Sequence, residues 1–503
     1  MASRRRPLAA ATCSGLLLGA ASLPGPQGPL GFVALVPLLA VLSTGTAPGR
    51  GAALGAVAGA LCFGIGFGWI LGVDGGGPST GLAYLLGLAL LAAVIGIFGA
   101  AVAWVGGRSR PLALLAAPAL WTLIEFTRTW DGGLPVPWNH LGYGLAEWPL
   151  LIQAAPCLGV YGLGFWIVSV NAGTLLAREL GPRARTVLAG LLALPLAPAP
   201  GLFGAPQPGP MLRVGAVQPA KAEPLRRDPD RFHENLGELL ELSDVAVAGA
   251  PDLLIWPESA WQPTLGEGGD AFLSAIAHDL GVPLLTGAWR AAGAGGLRNV
   301  AVVVEADGQR AAAEKVHPVP VYERAPGGPL GRWLDRAGLW AGRFARGAAL
   351  PPVDLATVSG DVPVGVLVCI DAAYPDLARA LRESGARVIV SIANEAGTGS
   401  WPALVHARIV RLRAAENRVP VLRVANTGPT LWIDARGRVV HALPEGARAS
   451  GVSDVVLGVP RRRGHGFGDA PVIAGASLSL LVVARRRMRR DSWRATHEEE
   501  TGT

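Results

Sequence analysis

Between residues 7 and 205 the chain carries very few charges, and that half holds seven apolar stretches, near residues 7–24, 29–46, 52–73, 80–106, 111–127, 151–177 and 186–204. A helix needs about 20 apolar residues to cross the roughly 30 Å hydrocarbon core of a bilayer. Lipid offers no hydrogen bonds to a bare backbone, so such segments are confined to helices. The pattern predicts a polytopic α-helical membrane bundle over residues 1–205, with about seven helices. Gly and Ala recur along several stretches, a composition that lets helices approach closely in lipid. Arg4–Arg6 ahead of the first stretch have the form of a signal sequence, and the six spans that follow favour a retained signal anchor over a cleaved peptide.

Charge sets the expected orientation. Arg4–Arg6, Arg50, Arg108 with Arg110, and Arg178, Arg183 with Arg185 fall in alternate connections. Positive charge stays on the cytoplasmic side, so the N-terminus is expected in the cytoplasm and the polar half outside it. A shorter apolar run at 470–484, followed by the basic cluster Arg485–Arg490, reads as a returning span or an interfacial helix. The segment 470–490 is assigned to that element and 491–503 to a disordered tail. The connection 121–150 is aromatic and only partly polar: Trp130, Trp138, Tyr143 and Trp148 suit an interfacial belt or a cap on the bundle, and Glu125 and Arg128 are spaced to pair.

Composition changes sharply near Pro208, and residues 206–469 have an ordinary globular mixture. Short apolar runs at 212–217, 253–256, 283–286, 300–305, 364–369, 388–392 and 421–424 read as strands, and 231–247, 270–280, 375–383 and 403–417 as helices. Their alternation predicts a layered α/β domain. The net charge of +7 comes largely from arginines near the chain ends, and no basic stripe is interleaved with aromatics, so nucleic acid is excluded as a partner. Four cysteines, at 13, 62, 157 and 369, show no metal-ligand spacing; no metal and no cofactor are expected, and the three in apolar segments read as buried thiols.

Cys369 differs from the others because it ends an apolar run in the polar half, downstream of Trp256-Pro257-Glu258-Ser259 and Glu314-Lys315. A thiolate is a strong nucleophile whose thioester remains reactive, but an ordinary thiol is mostly protonated at neutral pH. Glu258 can take the proton, and Lys315 can stabilise a thiolate and then an oxyanion, with backbone N–H groups after Cys369 as further donors.

The order Trp-Pro-Glu258-Ser, Lys315-Val-His-Pro-Val-Pro-Val-Tyr-Glu323 and Val-Cys369-Ile-Asp resembles the nitrilase superfamily. With the membrane half the chain is similar to bacterial apolipoprotein N-acyltransferases. The likeness runs through 29–39, Gly64–Trp69, 121–128, Pro137-Trp138, Leu141–Tyr143, Gly159–Gly162, His406–Arg418 and Arg423–Gly428. It implies an α-β-β-α sandwich on the extracytoplasmic face of the bacterial inner membrane. It further implies Glu258 as general base, Lys315 as oxyanion stabiliser, Cys369 as nucleophile, and Glu323 as a carboxylate that orients Lys315 or assists proton transfer. The implied partners are membrane phospholipids and diacylglyceryl apolipoproteins, the implied product an N-acylated lipoprotein, and the expected state a monomer.

Two places depart from the family pattern. Ile370-Asp371 replaces the usual Tyr-Glu after the cysteine, and Asn394-Glu395-Ala396-Gly397 lacks the usual Trp, for which Trp401 is a nearby substitute. The Glu–Lys–Cys set by itself also accommodates a membrane-tethered amidase using water, and the departures also suit an inactive lipid-binding paralogue. His317 and His406 read as structural hydrogen-bonding residues, and Arg411 and Arg413 as a solvated or paired helix face.

Overall fold

A computed structural model describes residues 2–73, 78–129, 135–197, 209–222, 229–266, 269–293, 296–305, 308–320, 322–324, 331–333, 336, 344–358, 360–459 and 473–477. The first half is helical: α1 (Ala2–Ser22), α2 (Gly31–Ala34), α3 (Val36–Leu42), α4 (Pro48–Phe67), α5 (Pro78–Gly106), α6 (Arg110–Thr127), α7 (Ala155–Leu176) and α8 (Pro182–Ala193). Among the described residues three helical segments, Pro48–Gly72, Thr80–Gly106 and Ala155–Glu179, are long and apolar enough to cross a membrane. On α5 a row of large apolar side chains, among them Leu82, Leu85, Leu86 and Ile97, is exposed, as a lipid-facing stripe requires.

One stretch behaves differently from its composition. Residues 29–46 form only the short apolar piece Gly28–Leu42, roughly 22 Å at about 1.5 Å per residue, too short to cross. Leu35, Leu38, Leu39 and Leu42 on it are fully buried, and α2 and α3 pack against α1 and α7. Apolarity here serves the core of the bundle. Cys13 and Cys157, expected to be buried, are exposed on the bundle surface, where a small apolar thiol is compatible with lipid; only Cys62 of the three is buried. The basic cluster Arg485–Arg490, the tail 491–503, Trp130 and most of the run 470–484 lie outside the described residues.

Helices α4 and α5 meet along a glycine seam. A Cβ on Gly55 would lie 2.3 Å from the carbonyl oxygen of Ile95, and one on Gly99 2.2 Å from that of Gly51. The two backbones are in contact, which lipid tails cannot drive hydrophobically but close van der Waals packing can.

The second half is a two-sheet sandwich. One sheet is ordered β13-β1-β2-β4-β5-β6, from β1 (Met211–Gln218), β2 (Leu253–Ile255), β4 (Leu284–Ala291), β5 (Leu297–Glu305), β6 (Gly308–Glu314) and β13 (Ala449–Val456), with β3 (Thr264–Leu265) paired to β4. The other is ordered β12-β11-β10-β9-β8-β7, from β7 (Val353–Leu355), β8 (Val362–Val368), β9 (Val388–Ala393), β10 (Val421–Ala425), β11 (Leu431–Ile433) and β12 (Val439–Ala442). Alternate residues of β8, Val362, Val364, Val366 and Val368, enter the core between the sheets with Val214, Ile255 and Val303. Helices α9 (Phe232–Val247) and α10 (Gly269–Leu280) cover the outer face of the first sheet.

Helices α11 (Pro375–Glu383) and α12 (Ser400–Asn417) cover the second sheet, and the far side of α12 meets the bundle. One hydrophobic cluster runs from Leu38, Trp121 and Ile167 through Tyr143 and Leu145 to Val405, Leu412 and Ile389. Trp138 and Tyr143, expected in an interfacial belt, are buried in it, while Trp148 is exposed and donates to the Pro26 carbonyl. The segment Trp138–Glu147 is thus a docking surface. Glu147 receives Arg408 and Arg411 from α12, and Arg418 donates to Gln153.

Substituting Gly55→Ala should push α4 from α5 and cost about 1–3 kcal/mol by overpacking. Gly49→Ala, whose Cβ meets nothing within 4 Å, should be neutral; thermal unfolding in detergent micelles compares the two.

Candidate active site

Three strand ends deliver the three residues singled out above. β2 ends at Ile255 and runs through Trp256 and Pro257 to Glu258; β6 ends at Glu314, next to Lys315; β8 ends at Val368, next to Cys369. In layered α/β folds reactive groups gather at such ends, where the chain leaves the sheet and side chains are released from pairing. The turns are tight. Cys369 has φ 52° and Ser259, after Glu258, φ 51°, left-handed conformations that non-glycine residues seldom adopt and that concentrate at functional sites. Gly287 on β4 makes room for the first turn, since a Cβ there would come within 2.6 Å of the Glu258 Cα.

Lys315 is 1% exposed and Glu258 4%, so their charges meet almost without water. Lys315 Nζ donates to Glu258 Oε1 at 3.0 Å and to Glu323 Oε1 at 2.8 Å. An ammonium has three protons, so one donor remains for a substrate oxygen. Glu323 is held in turn by the Val319 N–H, at 2.6 Å from its Oε2. Asn299 on β5 donates from Nδ2 to Glu258 Oε1 at 2.7 Å, which leaves Glu258 Oε2 without a hydrogen bond among the described residues. Nothing in the sequence reading singled out Asn299; its trace is a polar side chain opening the otherwise apolar run Val300–Val304.

The charges shape one another. Burial pushes the Cys369 thiol well above its usual range, Glu258 adds to this, and Lys315 opposes it. Burial works against the Lys315 charge, but the negative charges of Cys369 when ionised and of Glu258 and Glu323 outweigh it and hold the ammonium protonated. Burial raises the Glu323 carboxyl against the pull of Lys315. The resting site is therefore a protonated thiol beside a cation and a carboxylate.

The supporting residues fall around this centre. Asp371 accepts the N–H groups of Val316 at 3.0 Å and His317 at 2.9 Å, tying the Lys315 loop to the Cys369 turn. The shorter acid at this position thus serves backbone donors. Ile370 packs on the core shared with the bundle, as does Trp401. Asn394 Oδ1 accepts from Asn426 at 2.9 Å. Glu395 is ion-paired with Arg423 and His406; burial alone would raise its carboxyl, but these partners hold it below the usual carboxylate value. His317 stacks on Tyr374 at 3.5 Å and faces Asp371, and His406 bonds Glu395 and the Cys369 carbonyl, so both histidines are held by hydrogen bonds. Arg411 and Arg413 are paired, with Glu147 and Glu416. Glu125 and Arg128 do not pair directly: Glu125 accepts the Leu141 N–H, and Arg128 donates to the Val136 and Trp138 carbonyls.

Comparison with known proteins agrees in both halves. Residues 14–173 match the family model of the apolipoprotein N-acyltransferase N-terminal domain, and residues 213–459 that of carbon-nitrogen hydrolases. The apolipoprotein N-acyltransferase of Geobacter metallireducens is 31% identical over 96% of this chain and 96% of its own length. That of Azotobacter vinelandii is 32% identical over 87% of each. Among solved structures, the carbon-nitrogen hydrolase of Helicobacter pylori is 18% identical, covering 49% of this chain and 89% of its own, with a TM-score of 0.37.

Because only the thiolate reacts with an alkylating agent, a raised thiol makes reactivity climb with pH. Alkylation by iodoacetamide, read on the Cys369 peptide, should still be rising at about pH 9. A plateau near neutrality would mean a thiolate already formed at rest.

Proposed function

The chain belongs to the apolipoprotein N-acyltransferase family, and from that membership and the site's geometry we propose that it N-acylates lipoproteins in two half-reactions through a thioester on Cys369. The observation that carries this is the Glu258–Lys315–Glu323 charge cluster set beside the Cys369 thiol. In the first half-reaction Glu258 takes the thiol proton on Oε2, and Sγ attacks the ester carbonyl of a membrane phospholipid. The tetrahedral oxyanion meets the third Lys315 proton and the Ile370 N–H. Collapse breaks the ester C–O bond, and the departing lysophospholipid oxygen takes the proton from Glu258.

In the second, the α-amine of a diacylglyceryl-cysteine attacks the thioester after losing one proton to solvent. Glu258 receives the next proton and returns it to the Cys369 thiolate as the amide forms. Glu323 keeps Lys315 aimed, and Asp371 keeps the Lys315 loop against the nucleophile's turn. Both substrates are lipid-anchored. A sandwich seated on the bundle holds Cys369 at a constant height above the bilayer, so acyl donor and acceptor arrive pre-oriented.

The same proposal places the protein in the bacterial cytoplasmic membrane as a monomer with the sandwich outside the cytoplasm. The alternating basic connections support that orientation. Protease added to spheroplasts should cut the sandwich, while inside-out vesicles should protect it; the reverse pattern would invert the topology.

The chemistry is tested by mass spectrometry of the purified protein in phospholipid micelles, with Cys369→Ala beside wild type. Wild type should carry one acyl adduct on Cys369 that disappears as a diacylglyceryl-cysteine peptide gains an amide-linked chain. Decay of the adduct to free fatty acid alone would make the protein a hydrolase, and no adduct would make it an inactive relative.

A further inference from the structure

Against the main chain of the nucleophile stands a buried polar relay. His406 on α12 is 2% exposed and lies between two oxygen atoms: its Nε2 donates to the Cys369 carbonyl at 3.0 Å, and its Nδ1 faces Glu395 Oε1 at 2.9 Å. Glu395 is anchored by Arg423, which is fully buried and also bonded to the Pro429 carbonyl. The ring of Trp138, from the bundle's docking segment, packs at 6.1 Å from that of His406. At the other end of the turn Cys369–Ala373, Tyr143 donates its hydroxyl to the Ala373 carbonyl at 3.0 Å.

A peptide unit is planar and trans, so its C=O and N–H point in opposite directions. A hydrogen bond that fixes the Cys369 carbonyl therefore also fixes the Ile370 N–H. The constraint matters because Cys369 sits at φ 52°, where a β-carbon-bearing residue is not held by its own preference and the following peptide can turn over. We infer that His406 is a positioning residue that holds the Cys369–Ile370 peptide with its N–H turned toward the reacting carbonyl, so that α12 and, through Trp138, the membrane bundle govern whether the oxyanion site is formed. The inference rests on the reading of Cys369 as the nucleophile. His406 touches neither substrate nor thiol proton, and its effect appears only where negative charge develops on oxygen.

That restriction provides the test. Acyl transfer passes through an oxyanion; alkylation by iodoacetamide forms a C–S bond as iodide leaves and develops no oxyanion. The measurement uses the full-length protein in mixed phosphatidylethanolamine–phosphatidylglycerol micelles, comparing wild type with His406→Met, of similar bulk but without a donor, and His406→Gln, whose side-chain amide can donate to the same carbonyl. Loss of an oxyanion donor costs about 10²-fold or more in rate, so His406→Met should slow Cys369 acylation by about that factor. Its alkylation by iodoacetamide should stay near the wild-type rate, and His406→Gln should recover most of the acylation. Equal slowing of acylation and alkylation would mean a role in placing or ionising the thiol, and would overturn the inference, as would unchanged acylation. If His406→Met loses its thermal transition, a His406→Gln variant that folds but acylates no faster than background overturns it too. Absence of any acyl adduct on wild-type Cys369 would sink the nucleophile reading together with this one, whereas the other outcomes leave that reading standing.

Discussion

Helix α12, which backs the nucleophile's turn, is covered on its outer side by the membrane bundle. In a sandwich surrounded by water, α12 would bury one face on the second sheet and solvate the other. Here the second face is covered by the bundle, and the hydrophobic cluster is continuous across the boundary. Helix α12 is consequently buried nearly all round, with Arg408 and Arg413 almost fully enclosed. Buried guanidinium groups are costly without partners. The partners come from both halves: Glu147, Ser22 and Gly25 from the bundle for Arg408, and Glu416 and the Tyr143 ring for Arg413. This arrangement makes the two halves one structural unit and ties the nucleophile's turn to the membrane segment.

Within that frame the site is a problem of charge balance. Glu258 and Glu323 would repel each other in a buried space, and Lys315 between them removes the conflict while keeping one proton free for substrate. The thiol remains neutral at rest because burial and Glu258 together outweigh Lys315. A protonated thiol is also less open to oxidation than a thiolate, so the resting form protects the nucleophile.

How far the sequence could be read depended on what each signal was made of. Strands such as Val388–Ala393 and Val421–Ala425 are buried on both faces and so appear as apolar runs, each interrupted by one polar residue, Ser391 and Arg423. Strand β6, Gly-Gln-Arg-Ala-Ala-Ala-Glu, and β12, exposed throughout, carry no such run; edge pairing defines them, and pairing is invisible in one dimension. The same limit explains Asn299 and His406. A polar residue in a strand or helix gives no hint of its partner when the partner lies 41 or 37 positions away. The stretch 29–46 was apolar enough to suggest a span, and only its packing against α1 and α7 shows that its apolar character serves the bundle's interior.

By itself the sequence determined the division into an apolar helical half and a layered α/β half, the order of Glu258, Lys315 and Cys369, and their positions at the ends of apolar runs. These are local properties, set by hydropathy, period and the backbone chemistry of turns. Tertiary structure alone decided that the three residues converge, that Asn299, Asp371 and Glu323 hold them in place, and that Trp138 and Tyr143 turn inward to meet the nucleophile's turn. Each of those depends on contacts between distant segments, whose formation is governed by how whole faces of helices and sheets bury one another rather than by any residue's own preference.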